Sequence, residues 1–132
     1  EKGSMKGKIV FTDVNEIGFI DPNLENQVAK ASCKEVITYG NGSKKVVLID
    51  WGIKHNIIRC LLKRDITLIR VPWDYDFNHI DYDGLFISNR TGNPDYCEVT
   101  VGNIQTAMKK YKPICGSVMG IQLLAEAGVG NT

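Results

Sequence analysis

From residue 45 onward, short and continuously apolar runs alternate with longer segments in which apolar residues recur at helical spacing. The predicted strands cover residues 46–49, 66–71, 84–88 and 114–117, and the predicted helices cover residues 53–62, 99–111 and 120–127. An unbroken β-branched run is typical of a strand covered on both faces. Strands that alternate with helices form parallel sheets with right-handed crossovers. The pattern therefore predicts an α/β fold with an open, mainly parallel, doubly wound sheet of the flavodoxin-like type.

In a sheet of this kind, functional groups lie in the loops that follow the carboxyl ends of the strands. The loops in that position cover residues 50–54, 88–94 and 117–120. The chain has 132 residues, and its fourth predicted strand is followed by a single short helix. That is early for a complete fold of this kind, so we expect the sheet to be incomplete at its C-terminal side.

Residues 1–44 lack the regular alternation of the rest of the chain. An apolar triplet at residues 9–11 predicts a short strand, and the Tyr-Gly-Asn-Gly-Ser run at residues 39–43 breaks any regular element. We predict that residues 1–44 are an irregular arm with one or two short strands. The domain proper is expected to cover residues 45–132.

Composition narrows the function classes. The formal net charge is +1 and 43% of the residues are hydrophobic, which is typical of one globular domain rather than a nucleic-acid binder. No apolar run approaches the roughly 20 residues of a membrane span, and no signal-peptide pattern opens the chain, so a cytoplasmic protein is expected.

The four cysteines are isolated, which predicts reduced thiols in or near the core. With two histidines and no ligand spacing, we predict neither a metal site nor a cofactor.

Residues 116–120 read Gly-Ser-Val-Met-Gly at a predicted strand-to-helix turn. This G-x-Nu-x-G spacing is that of a nucleophile elbow, in which flanking glycines permit a tight and strained turn. The central residue is Val118, which has no lone pair and fits a strained turn poorly because it is β-branched. Ser117 and Cys115 lie off the centre and are interpreted as small strand residues.

Three segments, taken in order, resemble motifs of one family. Residues 50–59 resemble a D-x-G-x-K-x-N-I-x-R segment, and residues 83–94 resemble a D-G-x-F-x-S-N-G-P-G-D-P loop. Residues 113–124 resemble the elbow P-x-x-G-I-C-x-G-x-Q-L-L. These motifs are those of the class I glutamine amidotransferase domain of the carbamoyl-phosphate synthase small chain. The resemblance covers about residues 45–127 and implies that residues 45–132 are part of such a domain. Residues 1–44 resemble the stretch that joins it to an amino-terminal domain.

The resemblance also implies roles for particular residues. Val118 occupies the position of the cysteine that attacks the side-chain amide of glutamine and releases ammonia. Arg90 and Met119 occupy the positions whose backbone N–H groups form the oxyanion hole. Gly92 matches the second glycine of the loop, and Gln122 matches a glutamine that contacts substrate. The implied partners are glutamine and a large synthetase subunit, with carbamoyl phosphate serving arginine and pyrimidine biosynthesis.

The departures from the family pattern fall on its chemistry. They are Val118 for cysteine, Arg90 for glycine, Thr91 for proline and Asn93 for aspartate. The histidine and glutamate of the family lie downstream of the elbow and have no counterpart here, and neither His55 nor His79 is placed to replace them. Since a thiolate nucleophile needs an adjacent base, the chain is predicted to be inactive as a glutaminase.

Two other interpretations stay open at this point. The chain could be a non-catalytic amidotransferase-like domain that binds a synthetase subunit. It could instead be an unrelated flavodoxin-like module that stacks a nucleotide or flavin on Trp51, Trp73 or Tyr75, although loop aromatics more often pack locally. The acidic residues of the segment 74–83 are interpreted as a solvated loop rather than a cation site.

Overall fold

The structure is a computed structural model, which describes residues 7–11, 18, 25–89 and 98–129. The strands are β1 (Ile37–Tyr39), β2 (Lys44–Asp50), β3 (Ile66–Pro72), β4 (Gly84–Ile87) and β5 (Ile114–Gly116). The helices are α1 (Gln27–Ala31), α2 (His55–Leu62), α3 (Glu98–Met108) and α4 (Met119–Val129). Each predicted strand and helix of the 45–132 segment is present, with ends shifted by a few residues.

The strands form a five-stranded sheet in the order β1-β3-β2-β4-β5. β2 pairs in parallel with β3 on one side and β4 on the other, and Val47 lies opposite both Ile69 and Leu85. β5 pairs in parallel with β4, whereas β1 runs antiparallel to β3. The predicted α/β fold with an open, mainly parallel sheet is therefore confirmed.

Apolar residues on the two faces of β2 belong to two separate buried clusters. Leu48 packs with Leu68 of β3 and Ile58 of α2. Ile49 belongs to the larger cluster on the other face, with contributions from Ile104 of α3. Full burial of one such side chain contributes about 1.5–3 kcal/mol to folding. These clusters explain why the β-branched run reads as apolar throughout, because both of its faces are covered by helices.

The arm differs in part from its prediction. Residues 9–11 form no strand, and the side chains of Ile9 and Phe11 lie exposed rather than against a described neighbour. One short strand does occur in the arm, as β1, and it is an edge strand of the main sheet. The boundary placed between residues 44 and 45 remains a prediction.

The expectation that the cysteines lie in or near the core is wrong for two of them. Cys60 is exposed on the outer side of α2, and Cys115 is exposed on β5, which is an edge strand of the described sheet. Cys33 is half-buried, and Cys97 lies outside the described residues. Across the described ranges, no helix is both long and apolar enough to cross a membrane.

Candidate functional site

The three loops predicted to carry function begin at the same edge of the sheet. Because β2, β4 and β5 are parallel neighbours, their carboxyl ends meet there. The amide of Trp51 donates to the Ser88 hydroxyl at 2.9 Å, and the amide of Ser88 donates to the Ile49 carbonyl at 3.2 Å. The amide of Ser117 donates to the Ile87 carbonyl at 3.0 Å. The three strand ends are thus joined by direct hydrogen bonds.

The elbow after β5 has the strained backbone expected of a nucleophile turn. Val118 adopts a φ of 49°, in the left-handed region, and its side chain is 68% exposed. That conformation costs a β-branched residue about 1–3 kcal/mol. The amide of Gly120 donates to the Ser117 carbonyl and the amide of Ile121 donates to the Val118 carbonyl, which starts α4 directly behind the turn. The side chain at position 118 is therefore presented to solvent at the start of a helix.

The glycines on either side of Val118 are required by close packing. A Cβ at Gly116 would lie 2.5 Å from the carbonyl carbon of Gly120. A Cβ at Gly120 would lie 2.6 Å from the carbonyl oxygen of Ile87. Any side chain at either position would push the helix start away from β4 and β5. The glycine spacing seen in the sequence is thus explained by the contact between α4 and the strand ends.

The structure places some of the predicted site residues and not others. Val118 lies at the centre of the elbow, and Met119 is the first residue of α4. Gln122 is exposed in the first turn of α4, four residues beyond Val118. Arg90, Thr91, Gly92 and Asn93 lie outside the described residues. The roles of all these residues in an oxyanion hole or a substrate site remain predictions.

Two other side chains near the elbow carry a possible nucleophile, and both lie on β5 or directly after it. Cys115 is an exposed residue of β5, and Ser117 follows the strand. The Ser117 hydroxyl is buried and has no hydrogen-bond partner within the part of the chain that the structure describes. The only side chain of the three that projects from the elbow centre is that of Val118, which has no nucleophilic atom.

An ion pair at the end of β2 was not predicted from the sequence. Asp50 is fully buried, and its Oδ2 accepts hydrogen bonds from Arg70 Nε at 2.8 Å and Nη2 at 2.6 Å. The same oxygen accepts from the Cys33 amide at 2.7 Å. Its Oδ1 accepts from the amides of Gly52 and Ile53 at 3.0 and 2.9 Å. An arginine inside the apolar run 66–71 was the signal in the sequence, since a charge on a buried strand requires a partner.

Hydrogen bonding keeps the Asp50 carboxylate ionised. Burial acts to raise the pKa of Asp50, but the amides of Ile53, Gly52 and Cys33, together with Arg70, outweigh it. The pKa is therefore held below the ordinary value of the side chain. Nearby, burial first and the charge of Asp50 second raise the pKa of the Cys33 thiol to about 11.

The aromatic residues that could have stacked a nucleotide pack on their neighbours, as predicted for loop aromatics. Trp51 is fully buried and meets Trp73 edge-on, with ring centroids 6.4 Å apart at 89°. The ring of Tyr75 lies 5.6 Å from that of His79. Among the described residues, no group of three or more His, Cys, Asp or Glu side chains is placed to hold a metal ion.

Comparison with known proteins agrees with this geometry. The family model for glutamine amidotransferase class-I matches residues 47–132. The multifunctional protein CAD of Squalus acanthias is 42% identical over 96% of this chain, which corresponds to 6% of that protein. The mitochondrial ammonia carbamoyl-phosphate synthase of Homo sapiens is 40% identical over 91% of this chain and 8% of its own length.

This chain covers a larger share of a third relative. The arginine-specific carbamoyl phosphate synthase small chain of Saccharomyces cerevisiae is 36% identical over 100% of this chain and 34% of that protein. The chain thus spans between 6% and 34% of the length of these relatives. Because the family model covers well over half of the chain, and the sheet and elbow follow the expected geometry, this chain belongs to the glutamine amidotransferase class-I family.

Proposed function

We propose that this chain is the glutamine-binding part of a carbamoyl-phosphate synthase amidotransferase, and that as it stands it holds glutamine without hydrolysing it. In the active form of such a protein, ammonia released from glutamine would pass to a large synthetase subunit. The observation that carries the proposal is the left-handed turn at Val118 between β5 and α4, with its closely packed glycines. This is the geometry of a nucleophile elbow with an apolar residue at its centre.

The chemistry of the elbow follows from its place in the fold. A side chain at position 118 stands at the N-terminus of α4, where helix N–H groups and the helix dipole favour negative charge. A thiolate there would be stabilised as a nucleophile, and so would the oxyanion formed when it attacks an amide carbonyl. Valine offers no electron pair for that attack. Binding of the glutamine side chain against the elbow remains chemically reasonable, whereas thioester formation does not.

Gln122 supports a substrate role for the same face. It lies in the first turn of α4, directly behind the elbow, and its side chain is exposed and open to a ligand there. An amide side chain both donates and accepts hydrogen bonds, which suits the α-amino and α-carboxylate groups of glutamine. We assign Gln122 to substrate contact on this basis.

The proposal is tested with the full chain by calorimetric titration with glutamine and by an assay for released ammonia. Saturable binding without turnover is the expected result. Ammonia release above the uncatalysed rate would contradict the claim that Val118 disables the site, and absence of binding would contradict the claim that the chain holds glutamine.

A Val118→Cys variant sharpens the test. Its new thiol should be labelled by a glutamine-like α-chloroketone, and free glutamine should slow that labelling. Cys115 provides a control within the same molecule, because it is exposed on β5 three residues before the elbow centre. Labelling of Cys115 by iodoacetamide should not respond to glutamine. Equal protection of both thiols, or of neither, would argue against a glutamine site at the elbow.

A second candidate function rests on a different observation. Val118 and Ile121 are 68% and 58% exposed and lie one turn apart at the start of α4. We infer from this exposed apolar pair, as the second candidate, a domain that contacts another polypeptide, namely a synthetase subunit. Calorimetry distinguishes the two functions, since a scaffold would show no heat with glutamine and would bind a purified large synthetase subunit.

A further inference from the structure

The carboxylate of Asp50 connects parts of the chain that are far apart in sequence. Its Oδ1 accepts from the amides of Gly52 and Ile53, which belong to the loop leading into α2. Its Oδ2 accepts from the amide of Cys33 in the arm and from the guanidinium of Arg70 in β3. One buried group therefore fixes the arm, β3 and a loop of the candidate site relative to one another.

Arg70 also makes a hydrogen bond to the arm, at Tyr39. Its Nη1 donates to the hydroxyl of Tyr39 at 3.4 Å, and Tyr39 is the last residue of β1. Register places Arg70 opposite Ile37, so β1 lies directly beside it. The arm is thus held at both Cys33 and Tyr39 by the two members of one ion pair.

The fixed loop is in turn bonded to the loop after β4. The amide of Trp51, the residue next to Asp50, donates to the buried hydroxyl of Ser88 at 2.9 Å. That hydroxyl donates to the carbonyl of Asn89 at 3.1 Å. Ser88 and Asn89 begin the loop that resembles the oxyanion loop of the family. Hydrogen bonds to Asp50 and to Ser88, joined by the peptide bond between Asp50 and Trp51, therefore connect the arm to the start of this loop.

Energetics distinguish a positioning role from simple stabilisation. A buried ion pair often contributes little net stability compared with apolar residues of the same size, because desolvation offsets the attraction. Such a pair does fix the relative positions of its neighbours, because a bidentate guanidinium and several amides hold one carboxylate in a single orientation. An apolar pair at these positions would pack but would leave the arm and the loop free to shift.

We propose that Asp50, held by Arg70, is a positioning residue that couples the arm at Cys33 and Tyr39 to the site loops that begin at Trp51 and Ser88. A change in the arm would then alter the start of the loop after β4 without any contact to substrate. The inference rests on the proposed function for the meaning of the loop, but its structural claim is independent of glutamine binding.

Hydrogen–deuterium exchange of the full chain, read by mass spectrometry, tests the coupling. The variant is Asp50→Asn combined with Arg70→Met, which removes both charges together and leaves neither uncompensated. We expect the amides of Cys33, of residues 51–53 and of residues 88–89 to exchange at least about tenfold faster, with α3 unchanged. A change confined to Cys33 would overturn the coupling, and so would a uniform increase along the chain.

Two further variants keep the proposal falsifiable should the double variant fail to fold. Tyr39→Phe removes only the hydroxyl that meets Arg70, and we expect a two- to threefold increase, as an order-of-magnitude figure, at the same loop amides. Asp83→Asn is the matched control, because Asp83 accepts the amide of Lys45 at the opposite end of the sheet. If Asp83→Asn accelerates residues 88–89 as much as Tyr39→Phe does, the proposed path is wrong.

Glutamine titration separates this proposal from the proposed function. If wild-type chain binds glutamine, Tyr39→Phe should weaken binding while residues 51–53 and 88–89 lose protection. If the wild-type chain does not bind glutamine, the proposed function fails, and the exchange result still decides the coupling.

Discussion

The loop after β2 and the elbow after β5 leave the same edge of the sheet, and both contain a residue in the left-handed region. In the loop that residue is Gly52, with a φ of 105°, which glycine adopts without steric cost. In the elbow it is Val118, with a φ of 49°, where a β-branched side chain is strained. The first turn therefore suits its residue, and the second does not.

The two turns are also held differently. The loop after β2 is fixed by hydrogen bonds to a buried carboxylate, whereas the elbow is fixed by backbone packing of Gly116 and Gly120 against their neighbours. The side chain at the centre of the elbow contributes little to that packing, because it is 68% exposed. The turn can therefore persist when its central residue has lost the nucleophilic atom.

The largest expected effect comes from breaking the Asp50–Arg70 ion pair, which supports the loop after β2. Arg70→Met should lower the free energy of unfolding by about 3–5 kcal/mol, because it leaves the Asp50 carboxylate buried without its cation. Urea denaturation measures the loss. The Asp50→Asn and Arg70→Met double variant should recover much of it, since no lone charge is then buried. A double variant as unstable as the single one would show that packing rather than charge holds this loop.

The next largest effect comes from the packed glycines of the elbow. Gly116→Ala should destabilise by about 1–3 kcal/mol, because its Cβ would approach Gly120 within 2.5 Å. Gly102→Ala is the matched control on the exposed side of α3, where a Cβ would meet nothing within 4 Å. That change should instead stabilise by about 1 kcal/mol, since alanine favours helix. Equal effects at the two glycines would mean that the elbow is not held by close contact.

A smaller effect of opposite sign is expected at the elbow centre. Val118→Gly should raise the free energy of unfolding by about 1 kcal/mol, because glycine adopts the left-handed conformation without strain. The control is Val99→Gly on α3, an exposed valine in an ordinary helix, which should lose about 0.5 kcal/mol. Urea denaturation again provides the measurement. Destabilisation at both positions would show that the elbow carries no strain at Val118.

Much of the sheet could be predicted because its strands are continuous apolar runs that only a doubly covered sheet can bury. The ends of the elements were less predictable, since tertiary contacts decide them. The helix predicted to reach residue 111 ends at Met108, and Tyr111 then turns with a φ of 53°. The strand predicted to reach Ser88 ends at Ile87; the Ser88 amide still donates to the Ile49 carbonyl, and the Ser88 hydroxyl accepts from the Trp51 amide.

The elbow could be predicted in detail, whereas the identity of the partner of Arg70 could not. The elbow is local, so its glycine spacing is visible in five consecutive residues. The Asp50 and Arg70 pair depends on β2 and β3 being neighbours and on their register, in which Asp50 lies opposite Pro72 and Leu48 opposite Arg70. β1 was also beyond prediction as a member of the sheet, because a three-residue edge strand carries little sequence signal.

The last prediction concerns reactivity rather than stability, at the Cys33 thiol beside Asp50. The pKa of Cys33 is raised from 9.0 to about 11, so below pH 9 its thiolate fraction is about 100-fold lower than that of an ordinary thiol. A more basic thiolate reacts faster once formed, which recovers about tenfold, so alkylation at pH 8 should be about tenfold slower than ordinary. Iodoacetamide labelling followed by peptide mass spectrometry measures this rate.

The pH dependence gives the sign of that effect and ties it to Asp50. Because the pKa is raised in the folded chain, the contribution of Cys33 to stability is present below pH 9 and is lost as the pH rises toward 11. The labelling rate should climb about tenfold per pH unit until it levels near pH 11. Asp50→Asn should speed labelling at pH 8, since the negative charge beside the thiol is then gone. A rate that levels near pH 9 in the wild-type chain would mean that the Cys33 thiol is neither buried nor beside the Asp50 carboxylate as the structure shows.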